Sequence, residues 1–546
     1  MVQSDPTHSR HSGPDQVVVL LLPDLVDCTA DCEGLHKTFD EAPGEKRLLV
    51  CIPSPNTPAG PLFSALASLN VEKQFLLGPD LEKPHGDEFV VRAPPDMPRD
   101  DVIEFALALS DVVLVSPGNE NKQWAQHAGK KLGRTLVAVG SSVRRIAPET
   151  TVDVTKWIDP DSGAWLAWGR RWFGRPEQLI LECLAVFGWG DGKKRRHRVW
   201  RCFRLSWRPR AYFAPSGWQD ACPDKVDVDD SELSKCFEAM DRSALYGSHI
   251  HRDITWASHL AVAFAVFFAV AGYSYVGHHL VFAVLELVSL GIASLVVVIR
   301  LTRLQDRWTA CRLGAEQLRI ARMSLPLLVL PSALATADAQ GAGDAEDPTD
   351  FELSALGQVK RAVRQQGLPR VDYGSLNAAE AARWLQMIVA DQMHYHEHNH
   401  HTLERAEKSL NRISTIAFAI SVLGVVLPLC VPSLHDLSMV LPWLAPAQHD
   451  PDPRFLIISA AGPALTAALH GAGTRLGFVH RAALSHDMNA RLKQIFQALN
   501  ELIRTAGLSK TAWNEVRALA YAAADAMGAE NSSWHRLVRR YRDELP

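Results

Sequence analysis

The stretch "WASHLAVAFAVFFAVAGYSYVGHHLVFAVLELVSLGIASLVVVIR" (Trp256–Arg300) contains one acidic residue, Glu286, and almost no turn signal. A helix that crosses the hydrocarbon layer of a membrane needs about 20 mainly apolar residues. Residues 256–276 and 280–299 both meet this requirement, and a short Gly-His-His turn separates them. The stretch therefore predicts a transmembrane helical hairpin and argues against a buried soluble core.

A second apolar pair lies closer to the C-terminus. The stretch "ISTIAFAISVLGVVLPLCV" (413–431) predicts a third span, and "FLIISAAGPALTAALHGAG" (455–473) predicts a fourth. Pro463 and three glycines interrupt the fourth stretch, so the alternative for it is a re-entrant or interfacial helix. The sequence thus predicts an all-α membrane region of two hairpins with polar helical extensions.

The distribution of positive charge predicts the orientation of the spans. Basic residues follow the second span, precede the third and follow the fourth, whereas the two hairpin turns hold only Arg454. These residues are Arg300, Arg303, Arg307, Arg312, Arg405, Lys408, Arg412, Arg475 and Arg481. Because positive charge marks the cytoplasmic side, we expect both termini in the cytoplasm and a multi-pass protein of the cell membrane.

The first part of the chain has a different pattern, in which short apolar runs alternate with helical patterns. The runs are Val17–Leu22, Arg47–Ile52, Gln74–Leu77, Asp111–Val115 and Thr135–Val139. Fully buried strands that alternate with helices indicate a doubly wound parallel sheet. The fold class is therefore an α/β Rossmann-like domain followed by the membrane region.

Ligands of doubly wound sheets bind beyond the carboxyl ends of the strands. The candidate ligand-binding residues at those ends are Asp24, Ser54, Asn56, Thr57, Ser116, Asn119, Glu120 and Gly140. Pro23 stands where a phosphate-binding turn would have glycine, and glycine is what lets backbone amides approach a phosphate closely. Three readings stay open: a binder of a nucleotide-like ligand, a docking module without ligand, or an enzyme that uses Asp24 or Glu120.

Two segments of this region resemble the SLOG-type Rossmann-like sensor domains. They are "IPSPNTPAGPLFSALASL" and "ALSDVVLVSPGNENKQWAQHAGKKLGRTLVAVG". The resemblance implies a sensor of a nucleotide second messenger that needs no cofactor. The chain departs from the SLOG pattern at Pro23–Asp24 and has a single glycine, Gly118, in the later loop.

The helix after the first hairpin, "RWTACRLGAEQLRIARM" (Arg307–Met323), resembles the SLATT family of membrane effectors. Its Ala-Glu-x-Leu-Arg segment places Arg312 and Glu316, and Glu316 and Arg319, at helical pairing distances. The resemblance implies a homo-oligomeric, channel-like effector of bacterial antiviral defence in the inner membrane, gated from the cytoplasm. The competing classes are a membrane-anchored enzyme that processes nucleotides or NAD, and a non-catalytic membrane scaffold.

These patterns divide the chain into seven segments. They are a polar N-terminus (1–16), the sensor domain (17–150), a Trp- and Arg-rich connector (151–235), a first membrane unit (236–334), a linker (335–350), a second membrane unit (351–510) and C-terminal helices (511–546). The connector includes the basic stretch 193–210, which is either a solvated loop or a membrane-surface contact.

Several residues in the spans are candidates for a role in a pore. Glu286 is a costly intramembrane carboxylate, and we expect it near Tyr273 and Ser274 of the preceding helix. It either forms a buried hydrogen bond or lines a pore. Pro428 and Pro463 could mark bends.

The motif "HYHEHNHH" raises the question of a metal site. His394, His398 and His401 fall near one helical face, but the pattern is not that of a known zinc motif. Solvated histidines, a weak metal site and a pH-responsive cluster are the three interpretations. No metal is required by the sequence.

The net charge of −4 argues against a globally basic nucleic-acid binder, so the expected partners are lipid, a second copy of the chain and a nucleotide messenger. The nine cysteines have no disulfide or zinc spacing, which is typical of a reducing compartment.

In the last helical region, Leu492, Ile495, Leu499 and Leu502 predict a seam that packs either between subunits or within one.

Overall fold

The computed structural model describes most of the helical region and the strands of the N-terminal domain. The described residues are 17–21, 46–52, 66, 72–79, 89–94, 96–115, 123, 125–126, 135–138, 226–227, 232–294, 303–330, 350–371, 373, 376–430, 453–505 and 511–543.

The N-terminal domain contains a parallel sheet. Its strands are β1 (Val17–Leu21), β2 (Lys46–Ile52), β3 (Glu72–Leu77), β4 (Phe89–Arg92), β5 (Val112–Val115) and β6 (Thr135–Ala138), in the order β4-β3-β2-β1-β5-β6. All neighbouring strands are parallel. The five predicted strands all form, and the short β4, which the sequence did not reveal, adds a sixth at one edge.

The sheet is buried as its apolar runs predict. Leu20, Leu49 and Phe75 are almost inaccessible to solvent, and helix α1 (Arg99–Leu109) packs on β1 and β2. The chain moves outward from β1 to β4 and then crosses back to place β5 on the other side of β1. The strand order therefore reverses between β1 and β5, and this is where a doubly wound sheet opens a crevice for ligand.

The rest of the described chain is almost wholly helical. The helices are α2 (Glu232–Ser274), α3 (His279–Ala293), α4 (Leu304–Ser324), α5 (Asp350–Gln366), α6 (Ala378–Cys430), α7 (Pro453–Arg475), α8 (Phe478–Thr505) and α9 (Ala512–Asp543). Two two-residue strands, β7 (Val226–Asp227) and β8 (Arg370–Val371), pair antiparallel.

The two long helices α2 and α6 organise this region. At 1.5 Å per residue, α2 is about 65 Å long and α6 about 80 Å. Helices α3 and α4 pack against the two ends of α2, and α7 and α8 pack against the two ends of α6. Helix α7 also packs on α2 and so joins the two sets.

Three helical segments among the described residues are long and apolar enough to cross a membrane. They lie in Leu233–Ser274, Ala378–Val426 and Arg454–Thr505. These include most of the first and third predicted spans and all of the fourth, and Pro463 lies inside an unbroken α7.

The second predicted span is not confirmed. Helix α3 has 15 residues, which corresponds to about 22 Å and falls short of the roughly 30 Å hydrocarbon layer. Residues 295–299 of the predicted span lie outside the described residues. The four-span prediction therefore reduces to three supported spans and one short apolar helix.

Small residues bring α6 and α7 close together. A Cβ atom on Gly462 would collide with Ser421 Oγ and lie 2.7 Å from the carbonyl oxygen of Ala417. The Thr466 hydroxyl donates to the carbonyl oxygen of Ser414 at 3.1 Å. Such small-residue contacts with interhelical hydrogen bonds are typical of membrane helix pairs.

The predicted leucine seam packs within the subunit. Leu492, Leu499 and Leu502 of α8 are buried, and they belong to one hydrophobic core that also contains residues of the sheet and of α2, α4, α5, α6 and α9. The sheet and the polar ends of the long helices therefore share a continuous core.

Candidate functional site

The amino ends of the parallel strands dock on the helical region. Asp111 directly precedes β5, and one of its carboxylate oxygens accepts the Val18 backbone N–H at 3.0 Å. The other oxygen pairs with the guanidinium of Arg364 in α5. The two residues of this ion pair are 253 positions apart in the sequence.

A second set of bonds continues the contact along the same edge. Arg47 at the start of β2 donates to the carbonyl oxygen of Gln365 at 2.5 Å, and the buried Gln74 amide oxygen accepts the Leu368 N–H at 3.1 Å. Gly367 lies between these partners with φ +70°, and a Cβ there would come within 2.8 Å of the Arg47 guanidinium. The turn after α5 therefore requires glycine both for its conformation and for the close approach.

Helix α9 makes a further contact with the sheet domain. The Asn514 backbone N–H donates to the Asp96 carboxylate at 2.9 Å, and the Asn514 side-chain amide donates to the Asp96 carbonyl at 2.7 Å. Arg517 bonds to Asp101 in the first turn of α1 at 2.8 Å. The sheet domain is thus held by α5 at its strand ends and by α9 beside α1.

The sequence assigns the predicted ligand-binding residues to the opposite, carboxyl edge of the sheet. Asp24, Ser54, Asn56, Thr57, Ser116, Asn119, Glu120 and Gly140 all lie outside the described residues, as does the basic stretch 193–210. The described strands nevertheless establish that β1 and β5, which lead into two of these groups, are neighbours at the point of strand reversal.

A charged cluster, which we call the polar junction, joins four helices. It comprises Asp241 of α2, Arg312, Glu316 and Arg319 of α4, Tyr395 and His396 of α6, and Glu530 and Trp534 of α9. The predicted helical pairs form, because Glu316 contacts Arg319 at 2.6 Å and Arg312 at 3.6 Å.

Contacts between helices hold the polar junction together. Arg319 reaches Asp241 at 3.8 Å, and the Arg312 guanidinium lies 4.8 Å from the centre of the Trp534 ring. Gly314 allows α2 to approach α4, since its Cβ would collide with the Met240 side chain. Helices α2 and α6 both continue without a break from the junction into their apolar segments.

The environment sets the charges of two acids in the junction. Burial raises the pKa of Glu316, but Arg319 and Arg312 outweigh it and hold this pKa below its usual value. For Glu530, burial and the neighbouring negative charge of Glu316 together raise the pKa to about 7. Of these two acids, Glu316 is a fixed carboxylate, and Glu530 is a carboxyl group that can exchange a proton near neutral pH.

The structure locates the predicted residues of the apolar segments separately. Ser274 donates its hydroxyl to the Val270 carbonyl at 2.8 Å, Tyr273 is mostly exposed, and Glu286 is half-buried on α3. Pro428 lies in the last turn of α6, which ends at Cys430. No described contact unites them into a site, so their role in a pore stays a prediction.

The histidine motif divides between two environments. His394, His398 and His401 are exposed on α6, whereas His396 is buried in the polar junction. Among the described residues, His400, His401 and Glu404 have ligand atoms close enough to share a metal ion. Glu404 already pairs with Lys408 at 2.6 Å, so a metal would have to replace that ion pair.

The docking edge and the roles of His396 and Glu530 were not predicted from the sequence. The Ala-Glu-x-Leu-Arg segment was the one local signal for the junction, whereas the docking bonds join residues hundreds of positions apart.

No known protein family, curated protein or solved structure matches this chain. The class that the fold defines is a protein with a parallel α/β domain docked on a helical region that has three candidate membrane spans.

Proposed function

We propose that this chain is a membrane receptor–effector, in which a nucleotide-like ligand at the carboxyl edge of the sheet changes the packing of the membrane helices. The observation that carries the proposal is the docking of the opposite edge of the sheet. Arg47, Gln74 and Asp111 are bonded to the end of α5 and the turn after it. A ligand that moved the strands relative to one another would therefore act directly on α5.

The continuity of the helices supports transmission to the membrane. Helix α5 packs on α4 and α2, and α2 runs without a break from the polar junction to Ser274. A ligand shifts such a system only by its difference in affinity for two arrangements. No catalytic residue is needed for this mechanism.

The biological setting is proposed from the SLOG and SLATT resemblances alone. They imply an oligomeric effector in the bacterial inner membrane that permeabilises it during antiviral defence. The distribution of arginine and lysine supports cytoplasmic termini, which would expose the sheet to a cytoplasmic messenger.

Dye release from liposomes that contain the full-length protein tests the proposal. A panel of cyclic dinucleotides and NAD is added, and both release and ligand turnover are measured. We expect one ligand to trigger release without being consumed. Turnover without release would instead support the membrane-anchored enzyme, and the absence of binding, turnover and release would contradict the proposal.

The Arg364→Ala variant tests the coupling step. Removal of the ion pair with Asp111 should leave ligand binding to the protein intact and reduce dye release. Arg491→Ala, which changes an exposed arginine of α8, is the matched control and should behave like the wild type. Equal release by both variants would mean that the docked edge does not transmit the signal.

A further inference from the structure

A basic cavity of about 60 Å³ lies where the apolar helices meet the polar ones. It is located between α2, α4, α9 and the turn that joins α7 to α8. Its lining comprises Ser248, His251, Arg252, Gln305, Trp308, Arg312, Arg475, Leu476, Gly477, Arg481 and Trp534. A cavity of this size holds about four water-sized groups, which matches the oxygen atoms of one tetrahedral oxyanion.

The charge of the lining has one sign. Four arginines, Arg252, Arg312, Arg475 and Arg481, come from four different helices, and no carboxylate is among the described lining residues. Guanidinium groups present several N–H donors in a fixed plane, which suits the oxygens of a phosphate group. Convergence of four arginines from distant parts of the chain predicts a site for an anion.

A buried donor gives a second, independent indication of a ligand. Trp308 is 7 % exposed, and its indole Nε1–H has no hydrogen-bond partner among the described residues. Its ring packs edge-to-face on Trp534 at 5.2 Å, so the indole is fixed in the cavity wall. Buried polar groups are rarely left unsatisfied, and an oxyanion in the cavity would accept this bond.

The location of the cavity fits the surface of a membrane. Arg252 lies one turn before Trp256, where the apolar segment of α2 begins, and Arg475 is the last residue of the apolar α7. Gly477, with φ +63°, turns the chain into α8, whose N-terminal end adds a favourable field for an anion. Basic pockets at this depth between membrane helices bind lipid phosphate groups.

We propose that this cavity binds a phosphate-bearing anion and thereby links the membrane surface to the polar junction. Arg312 belongs to both, since it lines the cavity and contacts Glu316. The phosphate belongs either to a lipid headgroup or to a soluble compound. This site is separate from the carboxyl edge of the sheet, so its failure would leave the proposed function standing.

Native mass spectrometry and thermal unfolding of the full-length protein test the proposal. In one arm, nanodiscs of phosphatidylcholine are compared with nanodiscs that also contain phosphatidic acid, and retained lipid is measured. In the other arm, inorganic phosphate and pyrophosphate are titrated onto detergent-solubilised protein. A rise in Tm with phosphatidic acid alone identifies the lipid, and a rise with the soluble anions alone identifies a soluble phosphate compound.

The Arg475→Gln/Arg481→Gln double variant measures the contribution of the cavity. We expect affinity for the retained anion to fall at least about tenfold, because each charge-assisted bond contributes more than a neutral one. Arg491→Gln/Arg504→Gln makes the same change in charge at exposed positions of α8 and should bind like the wild type. Equal losses in the two double variants, or no binding in either arm, would overturn the proposal.

A conservative double variant separates binding from folding. Arg475→Lys/Arg481→Lys keeps the charge and should restore part of the affinity. If the glutamine variant does not fold, the lysine variant and the exposed control are compared with the wild type. Identical anion affinity for these three proteins would also contradict a guanidinium-lined phosphate site.

Discussion

The two halves of helix α6 expose opposite kinds of side chain. In its first half, Leu385 and Ile388 are buried, and Glu397 and His398 are exposed. In its last half, Ile416, Phe418 and Leu423 are 58 %, 54 % and 59 % exposed. A helix in a single solvent rarely exposes charged and polar side chains along one half and large apolar ones along the other. The difference indicates that water surrounds the first half and lipid the last.

Helix α2 repeats the contrast. Asp241 takes part in the polar junction, whereas Phe264 and Tyr273 are largely exposed. The sheet domain shares one hydrophobic core with residues from the polar ends of both helices.

An acid in the apolar half of α6 should have the largest effect. Leu423→Asp should make the free energy of membrane insertion less favourable by about 3 kcal/mol, because aspartate is unfavourable and leucine favourable at the centre of a membrane helix. The membrane fraction of the expressed protein measures it. Leu353→Asp, at an exposed leucine of α5, should lower the free energy of unfolding by less than about 0.5 kcal/mol and leave the membrane fraction unchanged. Equal membrane fractions for the two variants would contradict the location of the last half of α6 in lipid.

The close approach of α6 and α7 should be the next most sensitive feature. Gly462→Ala forces its methyl group against Ser421 and the Ala417 carbonyl, and overpacking of this kind costs about 1–3 kcal/mol. The Tm in detergent should fall clearly. Gly291→Ala is the matched control, because nothing lies within 4 Å of a Cβ at Gly291. Normal stability of the Gly462 variant would mean that the two helices are not this close.

A substitution at the docked edge of the sheet should have a smaller effect on stability. Gly367→Ala imposes a left-handed conformation on alanine, which costs about 1–2 kcal/mol, and disturbs the Gln74 and Arg47 contacts. Faster limited proteolysis of the N-terminal domain would reveal loosened docking. Gly528→Ala has open space around it and should be neutral or slightly stabilising. Unchanged proteolysis of the Gly367 variant would contradict this account of the docking.

Glu530 should give the polar junction a modest pH dependence. Its pKa is raised from 4.5 to about 7 by burial and by Glu316. The folded state therefore holds this proton more tightly than the unfolded state, and the associated stability is lost as pH rises from about 4.5 to about 7. Glu530→Gln should be more stable than the wild type at pH 8, by on the order of 1–2 kcal/mol, and the gain should disappear near pH 4.5.

Thermal unfolding at several pH values measures this effect. Glu397→Gln, at an exposed acid of α6, should unfold with the same pH dependence as the wild type. A gain for Glu530→Gln that does not change with pH would mean that burial does not perturb this carboxyl group.

Local patterns were sufficient to predict the parallel sheet and most of the apolar helices. Strands β1, β2, β3, β5 and β6 coincide with clear apolar runs. Strand β4 has four residues, as β5 and β6 do, but it ends in Arg92 and two prolines follow closely, which is typical of a turn. The second span stays unconfirmed, because α3 is described only from His279 to Ala293 and residues 295–299 of the prediction lie outside the described residues. Hydrophobic patterning thus predicted the presence of these elements.

The candidate sites depended on tertiary packing, which the sequence does not reveal. The histidine motif left solvated histidines, a weak metal site at His394, His398 and His401, and a pH response open. Those three side chains are exposed, whereas His396, which the sequence did not single out, is buried. The face of α6 that is buried in this region is set by its packing on α8, which begins only at Phe478. Three of the cavity arginines, Arg312, Arg475 and Arg481, likewise appeared as separate topology signals, and they converge with Arg252 only in the folded chain.

Extraction of cell membranes with alkaline carbonate tests the central claim most directly. The claim is that the apolar halves of α2, α6 and α7 are integrated in lipid. We predict that the full-length protein stays in the membrane pellet after the wash and enters solution only with detergent. Release by carbonate into a supernatant in which the protein is monodisperse without detergent would contradict it.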